Sequence, residues 1–229
     1  NNKILSIPDA LTKIKELVVP ITQTEPISLE SGMGRVLSDD VFSPIPLPPF
    51  KSSAMDGFAL RLSDWNNSAD KTFHLSGVSL AGHPISRLIK PGECVRIFTG
   101  APVPEGADAV VIQEVTSTDG DRIVISESAI KGADIRSAGI DFHVGKILLR
   151  AGKILSARDI GLAASMNIPW LLVRRRPRIS FVATGDEIVM PGGSLAEDQI
   201  VSSNSFALGA LVRVLGGVPV DLGIARDTE

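Results

Sequence analysis

Four carboxylates in the 229-residue chain fall where loops are expected, and their neighbours decide what they could do. Asp56 lies within the stretch 44–60, PIPLPPFKSSAMDGFAL, whose prolines stiffen the backbone before Met55-Asp56-Gly57 releases it into a turn. Asp141 follows Arg136 in DIRSAGID, Glu187 ends ATGDE, and Asp227 follows Arg226. Converging carboxylates repel one another unless a hard cation sits among them, and Mg2+ suits one or two carboxylates completed by phosphate oxygens. Two readings stay open: a magnesium-assisted site with Asp56, Glu187 and Asp227 as ligands, or unrelated turn and cap residues.

Other groups could serve such a site. Thr99 in Thr99-Gly100-Ala101 follows an apolar run and either offers a hydroxyl and N–H groups to an oxyanion or is a plain strand exit. Arg136 can pair with a phosphate, with Asp141, or with a surface acid. Thr184 and Gly185 form the turn that carries Glu187, and Ser203 and Asn204 start an expected helix, where they bind an anion or cap the end. His74, His83 and His143 lack ligand spacing, so none is assigned to metal or acid–base work. Cys94, the only cysteine, sits in the apolar run CVRIF and reads as a structural thiol; it excludes an internal disulfide and a cysteine-based zinc site.

The elements that must hold these residues follow from periodicity and punctuation. A first helix is expected over 6–19, capped by Ser6 and ended by Pro20, with Ile7, Leu11, Ile14, Leu17 and Val18 on one face. Residues 26–41 read as strand, short helix near 32–36, and strand, with Arg35, Asp39 and Asp40 as solvated charges. Between 71 and 127, short runs at 72–75, 93–98, 109–115 and 122–126 alternate with turn signals, which predicts a small β-barrel or sandwich. Ser156 caps a helix over 157–166 that turns Ile160, Ala163 and Ala164 inward. From 178 a βαβ unit is expected: a buried strand at 179–183, a helix over 204–215 stopped by Gly216-Gly217, and a strand at 218–224. Ligands of open α/β sheets bind outside the carboxyl ends of parallel strands, which puts Glu187 and Asp227 on adjacent lips of one crevice.

The fold class is therefore a multidomain α/β and β protein. A discontinuous α+β scaffold or dimerisation domain covers 1–42 and 143–173, an inserted barrel-like β domain covers 43–142, and 174–229 begin a doubly wound α/β domain. Two strands and one helix cannot close such a domain, so the chain reads as truncated within it. A formal net charge of -3 gives no overall pull on nucleic acid or anionic membrane. The basic run Arg174-Arg175-Arg176 reads as a solvated linker face. Neither a signal peptide nor a membrane-length apolar run is legible, so a cytoplasmic protein is expected.

In order, SAMDGFA, FTGAPVPEGADAVV, DIRSAGID and ATGDE resemble the molybdopterin molybdenumtransferase family, the bacterial MoeA type also found as the gephyrin E domain, over the whole chain. The resemblance implies catalytic roles for Asp56, Thr99, Glu187 and Asp227, and substrate roles for Arg136, Asp141, Thr184, Gly185, Ser203 and Asn204. It further implies a molybdopterin-binding α/β domain and an elongated homodimer in which the α/β crevice of one subunit faces the Asp56 and Thr99 loops of the other. The implied reaction uses adenylylated molybdopterin, molybdate and Mg2+, releases AMP and yields the molybdenum cofactor. Later family segments, including a glycine- and serine-rich loop and basic residues for the pterin phosphate, have no counterpart here, so this polypeptide alone is expected to be inactive. A non-catalytic, partner-binding dimer of the gephyrin type is the alternative.

Overall fold

The computed structural model describes residues 5–126 and 132–227, and the chain divides into two compact units. One comprises Asn1–Val41, Leu149–Ala164 and Ile168–Glu229; the other comprises Phe42–Leu148 and Ser165–Asn167.

The second unit is built on a six-stranded sheet. Its order is Ala109–Ile112, Gly57–Leu60, Glu93–Ile97, Thr72–Ser79, Arg122–Ile125, Thr116–Asp119. Neighbours are antiparallel except the parallel pair Thr72–Ser79 and Glu93–Ile97, whose register shifts between Leu75 and Val78. Each of the four expected runs contains a strand, but the run expected over 109–115 is extended only at Ala109–Ile112 and turns as a 3-10 helix at Gln113–Val115. Thr116–Asp119 is an additional strand, mostly exposed, whose polar sequence gives no apolar alternation to read. The sheet is open, with Ala109–Ile112 and Thr116–Asp119 as its edges among the described residues, so it is half a barrel rather than a closed one.

Gly57–Leu60 is buried at every position. Phe58 and Leu60 pack with Phe73, Cys94, Val111 and Ile123 on one face, while Ala59 packs with Ile97, Ala101 and Val110 on the other. A strand covered on both faces reads as an unbroken apolar run. Gly57 is required by close approach: a Cβ there would strike the Val111 carbonyl oxygen of the neighbouring strand. Burial pushes the Cys94 thiol up to about 12, with the neighbouring Glu93 charge adding to it, so the group stays protonated.

In the first unit the N-terminal helix runs Ile7–Leu17, shorter than the expected 6–19, because Val18 has already turned to extended backbone. The Ser6 hydroxyl accepts the Asp9 N–H at 3.3 Å, as the cap requires. Its apolar residues Ile7, Leu11, Ile14, Leu17 and Val18 are exposed. Thr24–Ser28 pairs antiparallel with Trp170–Arg174. The short helix expected near 32–36 forms earlier, as the 3-10 turn Leu29–Ser31, and Gly34 at φ +72° lies beyond its end. Two charges expected in solvent have partners instead. Arg35 is buried, paired with Glu25 and donating to the Arg174 carbonyl at 2.9 Å; Asp40 holds Arg150 at 2.9 Å and the Ala151 N–H at 2.8 Å. Arg174 and Arg175, expected as a solvated face, bond Thr22 and Gln23.

The helix Ala157–Ser165 buries Ala163 as expected, but Ala164 is exposed and Asp159 is buried. Burial would raise the Asp159 carboxyl, yet bonds from Lys153 Nζ at 2.6 Å, the Ser156 hydroxyl at 2.7 Å and the Ser156 N–H at 2.9 Å hold it at about 2. Arg178–Thr184 and Val218–Ala225 form a parallel pair joined through the helix Asn204–Val214. A second parallel pair joins Ile188–Val189 to Ile200–Val201. The strand expected to be buried at 179–183 is not: no residue of Arg178–Thr184 is buried, since two strands packed against a single helix cannot enclose their apolar side chains.

Candidate functional site

The proline-rich stretch delivers Asp56 through Ser52–Ser53, which lies between two other segments. On one side Ser53 exchanges backbone bonds with Gly100 and Ala101, at 2.8 and 2.9 Å; on the other, Ile135 pairs with Ser53 and Arg136 with Ser52. The Ser53 hydroxyl then donates to the Met55 carbonyl at 2.6 Å and turns the chain toward Gly57. Asp56 and Thr99, 43 residues apart, meet here. The Thr99 N–H and hydroxyl each donate to Asp56 Oδ1 at 2.8 Å. In this chain the anion that receives the Thr99 donors is therefore the Asp56 carboxylate itself. Oδ2 accepts no bond from the described residues.

Those bonds also shift the titration of Asp56. The Thr99 N–H first and its hydroxyl second hold the carboxyl below its usual 3.8, desolvation opposes them, and the positive Arg96 adds to them. Arg96 and Gln113 are functional neighbours that the sequence reading passed over. Arg96 bonds Gly57 and Gln113, and its guanidinium lies against the rings of Phe58 and Phe98. The available signal was a charge in an apolar strand, two residues before an aromatic and so on the same face.

Arg136 and Asp141 flank the same stretch without joining each other. Arg136 ends the exposed strand beside Ser52, and the Asp141 N–H donates to the Leu47 carbonyl at 3.0 Å. Among the described residues their side chains form no ion pair with each other, so of the alternatives left open for Arg136 the pairing with Asp141 does not occur.

The first unit carries the other candidates. Thr184 pairs with Ala225 in register, which brings the carboxyl ends of the parallel strands together, and the Gly185 N–H donates to the Ala225 carbonyl at 3.2 Å. Arg226 and Asp227 leave the second strand beside that turn. Glu187 is exposed, its carbonyl accepts the Ile200 N–H at 2.8 Å, and its carboxylate folds over Gly185. A Cβ on Gly185, at φ +137°, would sit 2.6 Å from Glu187 Oε2. One cavity of about 340 Å³ is lined by Thr184, Ser202, Ser203, Asn204 and Ser205, with Phe181 and Leu208 as apolar wall. A second, of about 520 Å³, lies along Gly185, Asp186, Gln199 and Arg226. Ser203 makes no side-chain cap bond, which leaves N–H groups of the first helical turn beside the first cavity.

Among the described residues no group of three or more His, Cys, Asp or Glu side chains is placed to hold a metal ion. Asp56 belongs to one unit and Glu187 and Asp227 to the other. All three offer only oxygen, and each is exposed or half-buried, a donor chemistry that fits Mg2+ rather than a softer metal. Also among the described residues, no helix is long and apolar enough to cross a membrane.

One unit carries acids at the ends of parallel strands and the other, built on a β-sheet, presents an anchored aspartate; the chain is a multidomain α/β protein, and comparison identifies which class. Residues 5–167 match the model of the MoeA N-terminal region (domain I and II), and the chain belongs to the MoeA family. The molybdopterin molybdenumtransferase of Haemophilus influenzae is 37% identical over 227 residues, 99% of this chain and 56% of that one. The Nostoc enzyme of the same name is 38% identical over 207 residues, 89% of this chain and 48% of that one. The crystal structure of the molybdopterin biosynthesis MoeA protein from Pyrococcus horikoshii superposes with a TM-score of 0.87 at 31% identity, covering 98% of this chain and 58% of that one. The chain thus spans about half the length of the curated relatives it matches.

Proposed function

We propose that the full-length gene product is a molybdopterin molybdenumtransferase of molybdenum cofactor biosynthesis. It inserts molybdate into adenylylated molybdopterin, releases AMP, and works in the cytoplasm as a homodimer. Membership of the MoeA family supports the reaction class. The observation that carries the site is the Asp56 carboxylate, fixed by two Thr99 donors and kept ionised with Oδ2 uncommitted.

Asp56, Glu187 and Asp227 would hold Mg2+, which when bound neutralises phosphate and molybdate charge. Thr184, Gly185, Ser203 and Asn204 border the cavity and its turn, where a helix N-terminus and hydroxyls suit the substrate's anionic groups. Arg136 supplies a guanidinium for a phosphate beside the Asp56 stretch, and Asp141 accepts substrate donors there. Thr99 orients Asp56.

The test is Glu187→Gln in the full-length protein. Molybdate-dependent AMP release should fall by at least about a hundredfold while the dimer persists. Unchanged turnover would remove Glu187 from the mechanism, and persistence of every biological output without turnover would favour the partner-binding alternative.

A further inference from the structure

Arg96 is the basic residue of the strand Glu93–Ile97, and its contacts converge on the turn that carries Asp56. The guanidinium lies 5.1 Å from the Phe58 ring centre and 4.7 Å from that of Phe98. One amino group donates to the Gly57 carbonyl at 3.1 Å and the other to Gln113 Oε1. Gln113 in turn donates its backbone N–H to the Asp56 carbonyl at 3.1 Å. Phe98 leads directly into Thr99, which holds Asp56 Oδ1. One planar cation thus touches all three segments that fix the carboxylate: the turn and its exit at Gly57-Phe58, the strand exit at Phe98-Thr99, and Gln113.

We propose that Arg96 is a positioning residue for Asp56, clamping the Asp56 turn, the Phe98-Thr99 exit and Gln113 into the arrangement that presents the carboxylate. Its own partners are neutral: two amide oxygens and two aromatic faces. The clamp therefore depends on the shape of a guanidinium, flat for stacking and with N–H groups in fixed directions, and an ammonium group of equal charge lacks both properties. The cavity of about 430 Å³ beside Arg96, lined by Phe58, Gln113, Thr116 and Thr118, leaves one side of the clamp open, so no core packing holds it from there.

The inference rests on the reading of Asp56 as part of the active site, and the experiment separates the two. In the full-length protein, Arg96→Lys and Asp56→Asn are compared with wild type for kcat and KM of AMP release, and for the Thr99 amide cross-peak in ¹⁵N–¹H spectra. Arg96→Lys should lower kcat about tenfold with KM within about twofold, and move the Thr99 peak toward its position in Asp56→Asn. A Thr99 peak that stays at its wild-type position overturns the clamp, as does wild-type kcat in Arg96→Lys when Asp56→Asn is inactive. If Asp56→Asn turns over normally while the Thr99 peak still moves in Arg96→Lys, the clamp stands and the catalytic reading of Asp56 falls. Gln113→Ala, which removes one anchor only, should shift the same peak by less and serves if Arg96→Lys does not fold.

Discussion

The strands Gly57–Leu60 and Arg178–Thr184 are both apolar runs leading to or from a candidate acid, yet every residue of the first is buried and none of the second is. The first is flanked by two strands and covered on both faces; the second has one parallel neighbour and one helix. Apolar sequence makes a strand, but the layers around it decide how firmly it holds what it carries. The acids differ in the same way. Both residues accept a backbone bond, Asp56 from Gln113 and Glu187 from Ile200, but the Asp56 carboxylate is fixed by two donors from Thr99 whereas that of Glu187 folds over its own loop at Gly185.

The comparison can be broken by substitution, with unfolding free energies measured on the full-length protein. Phe73, fully buried in the β unit, should cost about 3–5 kcal/mol as Phe73→Ala. Thr99→Val keeps the N–H bond to Asp56 and loses the hydroxyl bond, so kcat should fall about tenfold. The Asp56 carboxyl is depressed in the folded state, so the bonds it accepts contribute fully above its unfolded value of 3.8 and are lost as pH falls through the lower folded value. Thr99→Val should therefore move the acid limb of the activity profile upward, and an unmoved limb would show that Asp56 is not the group titrating. Ile179→Ala, at a side chain 43% exposed in the 229-residue chain, should cost less than about 1 kcal/mol when measured on that chain, with the full-length protein as the comparison. A cost in the full-length protein matching that of Phe73→Ala would mean that the α/β strand is enclosed in the working protein, and the contrast would vanish.

Much of this was legible in the sequence because it is local. The Ser6 and Ser156 caps, the strands starting at 72, 93, 109 and 122, and the turn at Asp56 follow from periodicity and turn chemistry. Asp56 and Thr99 were separately recognisable, but their mutual bond depends on sheet register between residues 43 apart, which no local pattern encodes. Arg35 illustrates the same limit: a lone arginine in a loop reads as solvated until Glu25 and the Arg174 carbonyl, 139 residues away, are folded onto it. Arg96 was hidden inside an apolar run whose strand character was read and whose charge was not.

We propose, on the family resemblance, that the anchored Asp56 of one subunit and the Glu187 lip of its partner make one active site. It is tested by unfolding and refolding a mixture of full-length Asp56→Asn and Glu187→Gln, each inactive alone. With a shared site, half of the dimers are mixed and each has one intact site, so AMP release should return to about a quarter of the wild-type rate. A mixture no more active than either variant by itself would contradict a shared site.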